Sequence, residues 1–412
     1  MLTLLIGGMV LWGLLILVAP MPQRGGPWAV LGAAIAVRLL CLCLPPLLSD
    51  DLFRYLWEGR VIGMGGNPFV HAPDDALWSQ LADPFRARVN HGELPTIYPP
   101  GALGLFALIA QVAYSPLAIK AVMGLFDAGI AWALADTLQR RGQRLDGAWV
   151  YALHPLGAME AAGSGHLEAA AVFALVMALR GRSMAWATWG ALVKLLPGVM
   201  LLALGRRRPG ALAVAALVGA ASILPFADAG AGLLTSPKAY ASRWAFNGGL
   251  FSLIEAATGE AARGLAAAMG ALAVGFALWR HAHSPERVAL WAGGAFVLLS
   301  PTVHPWYIAW AWVPALLCGQ RAWTLLATLA PLSYAALLSY DPTHSTWTEP
   351  TWPRWVLYPP FFLALLGEWL WRQTQPGPWR PFTRRSWPSM GPSGSPSPTP
   401  PAPSIQSPPY RP

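Results

Sequence analysis

The stretch between residues 47 and 69 concentrates the side chains that could do chemistry. It reads LLSDDLFRYLWEGRVIGMGGNPF, and two adjacent carboxylates, Asp50 and Asp51, directly follow an apolar run of membrane-spanning length. Charged groups are costly near lipid, so acids retained at the exit of such a run indicate a function at the membrane surface. The chemistry that fits is general base catalysis, in which one aspartate takes the proton of a substrate hydroxyl.

Helical spacing sorts the neighbours of these acids. Asp51, Arg54, Tyr55 and Glu58 recur every three or four residues and share one face, whereas the opposite face is apolar. The pattern predicts an amphipathic helix that lies on the outer leaflet with its apolar side in lipid. A simple capping role is the alternative, because serine and aspartate are common N-cap residues.

Other polar residues within apolar surroundings are candidates for substrate contact. The candidate substrate-binding residues are Arg54, Tyr55, Glu58, Arg60, Asn67, Tyr98, His166, Glu168, Lys194, His304, Trp306 and Tyr307. Lysine and arginine suit phosphate, so the set indicates a phosphate-bearing substrate together with a hydroxyl to deprotonate. Arg38, Lys120 and Asp127 lie deeper in predicted spans, and we expect them to pair for helix packing.

The composition predicts a polytopic membrane protein. Of the 412 residues, 55% are hydrophobic and 11% are charged, against roughly 25% charged in soluble domains. Recurrent apolar runs predict an all-α membrane domain over residues 1–373, with about 11–13 transmembrane helices. Residues 374–412 are rich in proline and serine and predict a disordered cytoplasmic tail. The net charge of +9 lies in short loops and the tail, as positive-inside anchors do, so nucleic acid is not an expected partner.

The basic loops also predict a topology for the cell membrane. They place the following segments on the extracytoplasmic side: 47–97, 163–166, 227–260, 302–305 and 341–353. Pro197 predicts a break inside the span 184–204, giving two half-helices that meet near Lys194. The number of crossings made by 98–138 stays open.

Six motifs resemble those of bacterial GT-C glycosyltransferases, and most of all the polyprenol-phosphate-mannose-dependent mannosyltransferases and their family 87 relatives. In order within residues 40–320, they are SDDLFRYLWEGRVIGMGGNPF, TIYPPG, LHPLGAMEAAGSGHLEA, KLLPG, FNGGLF and TVHPWYIAW. The resemblance implies a multi-span enzyme that uses a lipid-phosphate sugar outside the cytoplasmic membrane. It also implies that the base is Asp51, with Asp50 the adjacent acid. Relatives often carry aspartate in place of Glu58 and Asn-Asp after His166, so the roles of Glu58 and Glu168 do not carry over.

The expected reaction moves a sugar, mannose first, from a polyprenyl phosphate to a hydroxyl of a lipid-linked or cell-envelope glycan, with inversion. Lys194, Arg54 and His304 would stabilise the departing phosphate. No cofactor is required, although Asp50 and Asp51 could hold a divalent metal. The expected partners are the lipid-phosphate donor, the glycan acceptor and membrane lipid.

Two other functions stay open at this point. Broken helices and buried charges also suit a secondary transporter or lipid flippase, but no matching halves are evident in the sequence. A polymerase or ligase of lipid-linked glycans would instead use a lipid diphosphate donor.

Overall fold

A computed structural model describes residues 1–22, 25–340 and 348–374, so the predicted tail lies outside the described residues. Within these ranges the chain is predominantly helical and forms only isolated β-bridges. This confirms the predicted all-α class. The α-helices are α1 (Leu2–Val18), α2 (Pro27–Leu42), α3 (Asp51–Gly63), α4 (Pro100–Val112), α5 (Pro116–Arg140), α6 (Asp146–Leu153), α7 (Pro155–Ala158), α8 (Glu168–Gly181), α9 (Met184–Val193), α10 (Val199–Gly205), α11 (Pro209–Ile223), α12 (Thr235–Arg243), α13 (Gly249–Thr258), α14 (Ala262–Arg280), α15 (Pro285–Leu299), α16 (Ala309–Leu317), α17 (Ala322–Leu329) and α18 (Trp352–Thr374).

Several helices have the length and composition of membrane spans. Among the described residues, four helical stretches are long and apolar enough to cross a membrane: Pro116–Arg140, Pro209–Arg243, Gly249–Arg280 and Ala322–Ser339. Shorter apolar helices add to them, namely Leu2–Val18, Pro27–Leu42, Pro100–Val112, Met184–Val193 and Leu196–Gly205. A membrane protein is therefore confirmed, whereas the predicted 11–13 crossings stay a prediction.

Residues 227–260, which the basic loops place outside, are largely helical, and the side of the membrane on which they lie stays a prediction. They contain α12 and α13, which continue the long helical stretches on either side. Lys238 and Arg243 interrupt the apolar pattern within α12, so hydropathy alone reads this segment as a loop.

The predicted helix after residue 50 is present as α3, but it does not lie on lipid. Arg54 and Glu58 on its polar face are 5% and 1% exposed, and Leu52 and Phe53 on its apolar face are both 0% exposed. Protein covers both faces, so the prediction of a lipid-bound apolar face is wrong. Periodicity identifies an apolar face but does not distinguish a lipid neighbour from a protein neighbour.

A close approach to α4 explains how α3 becomes buried. A Cβ at Gly59 would lie 2.4 Å from the carbonyl oxygen of Phe106, so only glycine fits between the two backbones here. Tyr55 stacks on Phe106 with ring centroids 4.5 Å apart. These contacts fix α3, and with it Asp51, against the helical core.

The predicted break in 184–204 is present and lies slightly earlier than its proline. Helix α9 ends at Val193, Lys194 is extended with φ −148°, and a short 3₁₀ turn over Leu196–Gly198 leads into α10. Proline lacks the N–H that would bond the carbonyl four residues back, so Pro197 ends α9 at Val193. Lys194 is therefore at the break, as predicted.

A second break interrupts the span predicted over 146–162. Pro155 ends α6, and a π-helix over Met159–Gly163 follows α7. The chain then turns through Gly165, whose φ of +79° is readily adopted only by glycine. π-Helical turns are rare and often occur at functional sites. This one brings Glu160 and His166 to the same side of the turn.

Candidate active site

Asp51 lies at the N-terminus of α3, where its two carboxylate oxygens have different partners. Asn90 donates through Nδ2 to Oδ1 at 2.8 Å. The other oxygen, Oδ2, lies 3.9 Å from Nε2 of His166, too far for a hydrogen bond. The Asp51 side chain is 25% exposed, so a substrate can reach it. One oxygen is thus fixed and the other is available for a proton.

His166 is the buried partner of this carboxylate. Its Nδ1 lies 3.0 Å from Oε2 of Glu160, whose Oε1 accepts a hydrogen bond of 2.8 Å from the Tyr334 hydroxyl. The imidazole stacks on Trp306 with centroids 3.7 Å apart. Its Nε2 is buried without a hydrogen-bond partner, which is uncommon for such an atom.

An aromatic wall continues from Trp306. His304 stacks on Trp306 with centroids 4.4 Å apart and on Phe246 with centroids 5.0 Å apart. Burial among these rings holds the pKa of His304 well below its usual range, an effect that the nearby His166 and Lys194 reinforce. His304 is therefore neutral near pH 7 and offers one N–H donor rather than a charge.

Lys194 supplies a cation on the same side. It forms an ion pair with Glu168, and its Nζ lies 5.3 Å from the ring centroid of Tyr307. The Tyr307 hydroxyl is 3.0 Å from that of Tyr240 on α12. The Lys194 side chain is 23% exposed, so its ammonium can meet a ligand.

Arg54 and Glu58 build the wall behind Asp51. Arg54 donates to the carbonyl of Asn90, to that of His91 at 2.6 Å and to that of Leu94 at 3.2 Å. It also pairs with Glu58 at 3.3 Å. Since these acceptors occupy its guanidinium, Arg54 anchors the loop that carries Asn90. This role differs from the predicted phosphate contact.

Glu58 is buried in the same wall. Thr96 donates to its Oε2 at 2.8 Å, and burial raises the pKa of Glu58 to about 7, against the opposing charge of Arg54. Glu58 therefore titrates near neutral pH without contacting solvent.

Among the described residues, five further predicted site residues form no side-chain hydrogen bond with Asp51 or His166. Asp50 is exposed and makes no capping hydrogen bond. Arg60 pairs with Asp83 at 2.5 Å, and Asn67 donates to Asp228 at 2.5 Å. Tyr55 and Tyr98 are buried behind α3, with ring centroids 5.2 Å apart. The contacts of Arg60, Asn67, Tyr55 and Tyr98 indicate packing and loop anchoring.

Sequence reasoning missed three members of the site. Glu160 lies in the polar turn with His166 and Glu168 and is a functional candidate by its type, but the predicted substrate-binding residues do not include it, nor do they include Asn90 or Tyr334. A buried glutamate six residues before a histidine is the one signal that could have been found. Asn90 lies in an irregular loop, and Tyr334 lies far away in sequence, so no local pattern marks either.

Metal binding has limited support among the candidate acids. Over residues 1–22, 25–340 and 348–374, no group of three or more His, Cys, Asp or Glu side chains could hold a metal ion. Asp50 is exposed at the N-cap, whereas Asp51 faces Asn90 and His166.

Comparison with known families accounts for nearly the whole helical domain. Residues 2–225 match the family model described as alpha-(1->6)-mannopyranosyltransferase, N-terminal domain, and residues 237–366 match the MptB C-terminal domain. No curated protein matches the chain. The family identity confirms the expected resemblance to GT-C glycosyltransferases and favours an enzyme over a transporter. Because these two matches together span most of the chain, it belongs to the MptA/MptB alpha-(1->6)-mannopyranosyltransferase family.

Proposed function

We propose that this chain transfers a mannosyl group from a polyprenyl phosphate to a hydroxyl of a glycan or lipid-linked acceptor, with Asp51 as general base. The observation that supports this most is the asymmetry of the Asp51 carboxylate. Asn90 holds Oδ1 at 2.8 Å, whereas Oδ2 accepts no hydrogen bond from the part of the chain that the structure describes and belongs to a partly exposed side chain. An accessible, oriented carboxylate is what a single-base transfer requires.

Phosphate as the leaving group explains why one carboxylate suffices. The bond between the anomeric carbon and the phosphate oxygen breaks, and the phosphate leaves as an anion without a general acid. The acceptor oxygen attacks the opposite face of the sugar while Asp51 takes its proton. Direct displacement inverts the anomeric centre, and no cofactor takes part in this scheme.

Lys194 and His304 are the proposed phosphate contacts. The ammonium of Lys194 supplies positive charge, and the neutral His304 supplies an N–H donor, both to the oxygens on which charge develops. Glu168 holds Lys194 in place before the donor binds. Arg54 is not a proposed phosphate contact, because backbone carbonyls and Glu58 already accept from its guanidinium.

The polarity of α5 supports a site on the outer face. Its C-terminal end carries Arg140, followed by Arg141 and Arg144, whereas its N-terminal end lies on the side of α3. A helix of 25 residues is about 37 Å long, enough to cross a bilayer. Because basic loops favour the cytoplasm, the α3 side would then be extracytoplasmic.

A donor assay tests the proposal. Membranes that contain the protein are incubated with radiolabelled polyprenyl-phosphate mannose or with a labelled lipid-diphosphate oligosaccharide, and membranes without the protein serve as the control. We expect label to move into a glycan from the monophosphate donor alone. Transfer from the diphosphate donor alone would overturn the proposal and favour a polymerase or ligase.

A further inference from the structure

His166 and Glu160 form a buried pair behind Asp51, and the transfer scheme above uses neither of them. His166 is 1% exposed and Glu160 is 5% exposed. Burying two ionisable groups costs free energy that their mutual interaction offsets only in part, so a role in function is a natural hypothesis. Glu160 is fully engaged, since it accepts from Tyr334 and faces Nδ1 of His166. The unused atom of the group is Nε2 of His166, which faces Asp51.

The contact to Glu160 settles which nitrogen carries the proton of the neutral imidazole. A carboxylate that already accepts from a tyrosine can only accept from Nδ1, so Nδ1 holds the N–H. Nε2 then presents a lone pair toward Oδ2 of Asp51, 3.9 Å away. This is the arrangement in which a carboxylate orients a histidine to receive a proton.

We propose that His166, oriented by Glu160, takes over the proton that Asp51 removes from the acceptor. The acceptor hydroxyl gives its proton to Oδ2 as its oxygen bonds to the anomeric carbon, and the phosphate leaves. Oδ2 then passes the proton to Nε2, either after a small rotation or through one water. The imidazolium keeps its Nδ1–H on Glu160, and the proton returns to solvent by the same atoms after the products leave.

In this relay the imidazole of His166 is a stronger base than the Asp51 carboxylate that hands it the proton. In model peptides an imidazole binds a proton two to three orders of magnitude more tightly than an aspartate does. Removing the proton from Asp51 therefore makes its transfer from a weakly acidic sugar hydroxyl more favourable. Glu160 is a positioning residue in this scheme, because it acts through His166 and does not touch the acceptor. The inference rests on the proposed role of Asp51.

The test is the pH profile of kcat for Glu160→Gln, which keeps the shape of the side chain and one acceptor oxygen but removes its charge. The relay requires a neutral His166. Protonation of the Asp51–His166 pair therefore causes the fall in kcat at low pH, which is the acid limb of the profile. The charged groups that face His166 are Asp51 on α3, Glu160 on the π-helix and Glu168 on α8, and Lys194 lies behind Glu168. Without the carboxylate the imidazolium is less stable. We therefore expect a kcat lower by about tenfold to a hundredfold and an acid limb moved to lower pH.

Two variants control this experiment. Tyr334→Phe removes a hydrogen bond from Glu160 but leaves its charge, so its acid limb should not move to lower pH. Glu58→Gln is measured in parallel, because Glu58 itself titrates at about pH 7. If Glu160→Gln does not accumulate as a folded protein, His166→Gln answers the same question, and its acid limb must also move to lower pH.

An acid limb that does not move in Glu160→Gln overturns the relay, whatever happens to the rate, because His166 then only packs. This outcome is distinct from a failure of the proposed base. If Asp51→Asn abolishes transfer and the limb of Glu160→Gln is unchanged, the relay alone is wrong. If Asp51→Asn keeps its activity, the base assignment itself is wrong.

Discussion

Two buried polar clusters of similar composition lie within this helical domain, and they differ in how completely their atoms are paired. In the first, Arg38 donates to Asp127 at 2.7 Å and to the carbonyl of Ala152, and Asp127 also accepts from Tyr151. In the second, Asp51 and His166 face each other across 3.9 Å, and Nε2 of His166 makes no hydrogen bond.

The difference distinguishes a structural ion pair from a candidate catalytic site. Arg38 and Asp127 are 3% and 2% exposed, and their pairing fixes α2 against α5. Asp51 is partly exposed, and the second cluster keeps one carboxylate oxygen and one ring nitrogen for a substrate and its proton. Buried charge alone does not identify an active site; an accessible group with unused bonding capacity is the better indicator.

Breaking the Arg38–Asp127 cluster, in which the charged groups are paired, should have the largest effect on stability. Arg38→Met leaves Asp127 buried without its charge partner, and we expect a loss on the order of 3–5 kcal/mol in the free energy of unfolding. The matched control is Arg140→Met, because Arg140 pairs with Asp136 while 64% exposed and should contribute below about 1 kcal/mol. Thermal unfolding in detergent measures both. Equal melting temperatures for the two variants would contradict the distinction.

Removing the cation of the open site should weaken transfer. We expect Lys194→Met to lower kcat/KM for the donor by about tenfold to a hundredfold, because a charge-assisted contact to phosphate is lost. The exposed Lys238→Met serves as the control and should change it less than twofold.

In Lys194→Met, Glu168 loses its ion-pair partner, and this effect needs its own control. The double variant Lys194→Met/Glu168→Gln removes the unpaired carboxylate, so a recovery to wild-type kcat/KM would assign the loss to Glu168 and not to phosphate binding. We expect no recovery.

Glu58 should make stability depend on pH. Its folded pKa of about 7 lies above the 4.5 of a free glutamate, so its contribution to the free energy of unfolding is fully present below pH 4.5 and is lost as pH rises through 7. The melting temperature should therefore fall between pH 5 and pH 8, and Glu58→Gln should reduce that fall. An identical fall in the variant would show that Glu58 is ionised throughout.

The smallest expected effect is that of a chelator. Asp50 is exposed, and Asn90 already occupies one Asp51 oxygen, so we expect EDTA to change the transfer rate less than twofold. A loss restored by a single divalent cation would instead support metal binding at these aspartates.

The sequence is enough to predict those parts of the site that depend on local rules. Helical spacing predicts α3 and Asp51 at its start, and Pro197 predicts the break that exposes Lys194. The pairing of Glu160 with His166 depends on a π-helix, whose extra residue no periodicity shows. The stacking of His166 on Trp306 joins residues 140 positions apart, so it follows from tertiary packing alone. The burial of α3 was missed for a similar reason, since Gly59 permits a contact that only the partner helix reveals.

The central claim is that Asp51, and not its neighbour, is the base. The most direct measurement compares Asp51→Asn with Asp50→Asn in the transfer of label from polyprenyl-phosphate mannose, at equal amounts of folded protein. We predict that Asp51→Asn lowers kcat by about 10²–10⁴-fold with an unchanged melting temperature, and that Asp50→Asn stays within a few fold of the wild type. Substantial transfer by Asp51→Asn, or a larger loss in Asp50→Asn, would contradict the account.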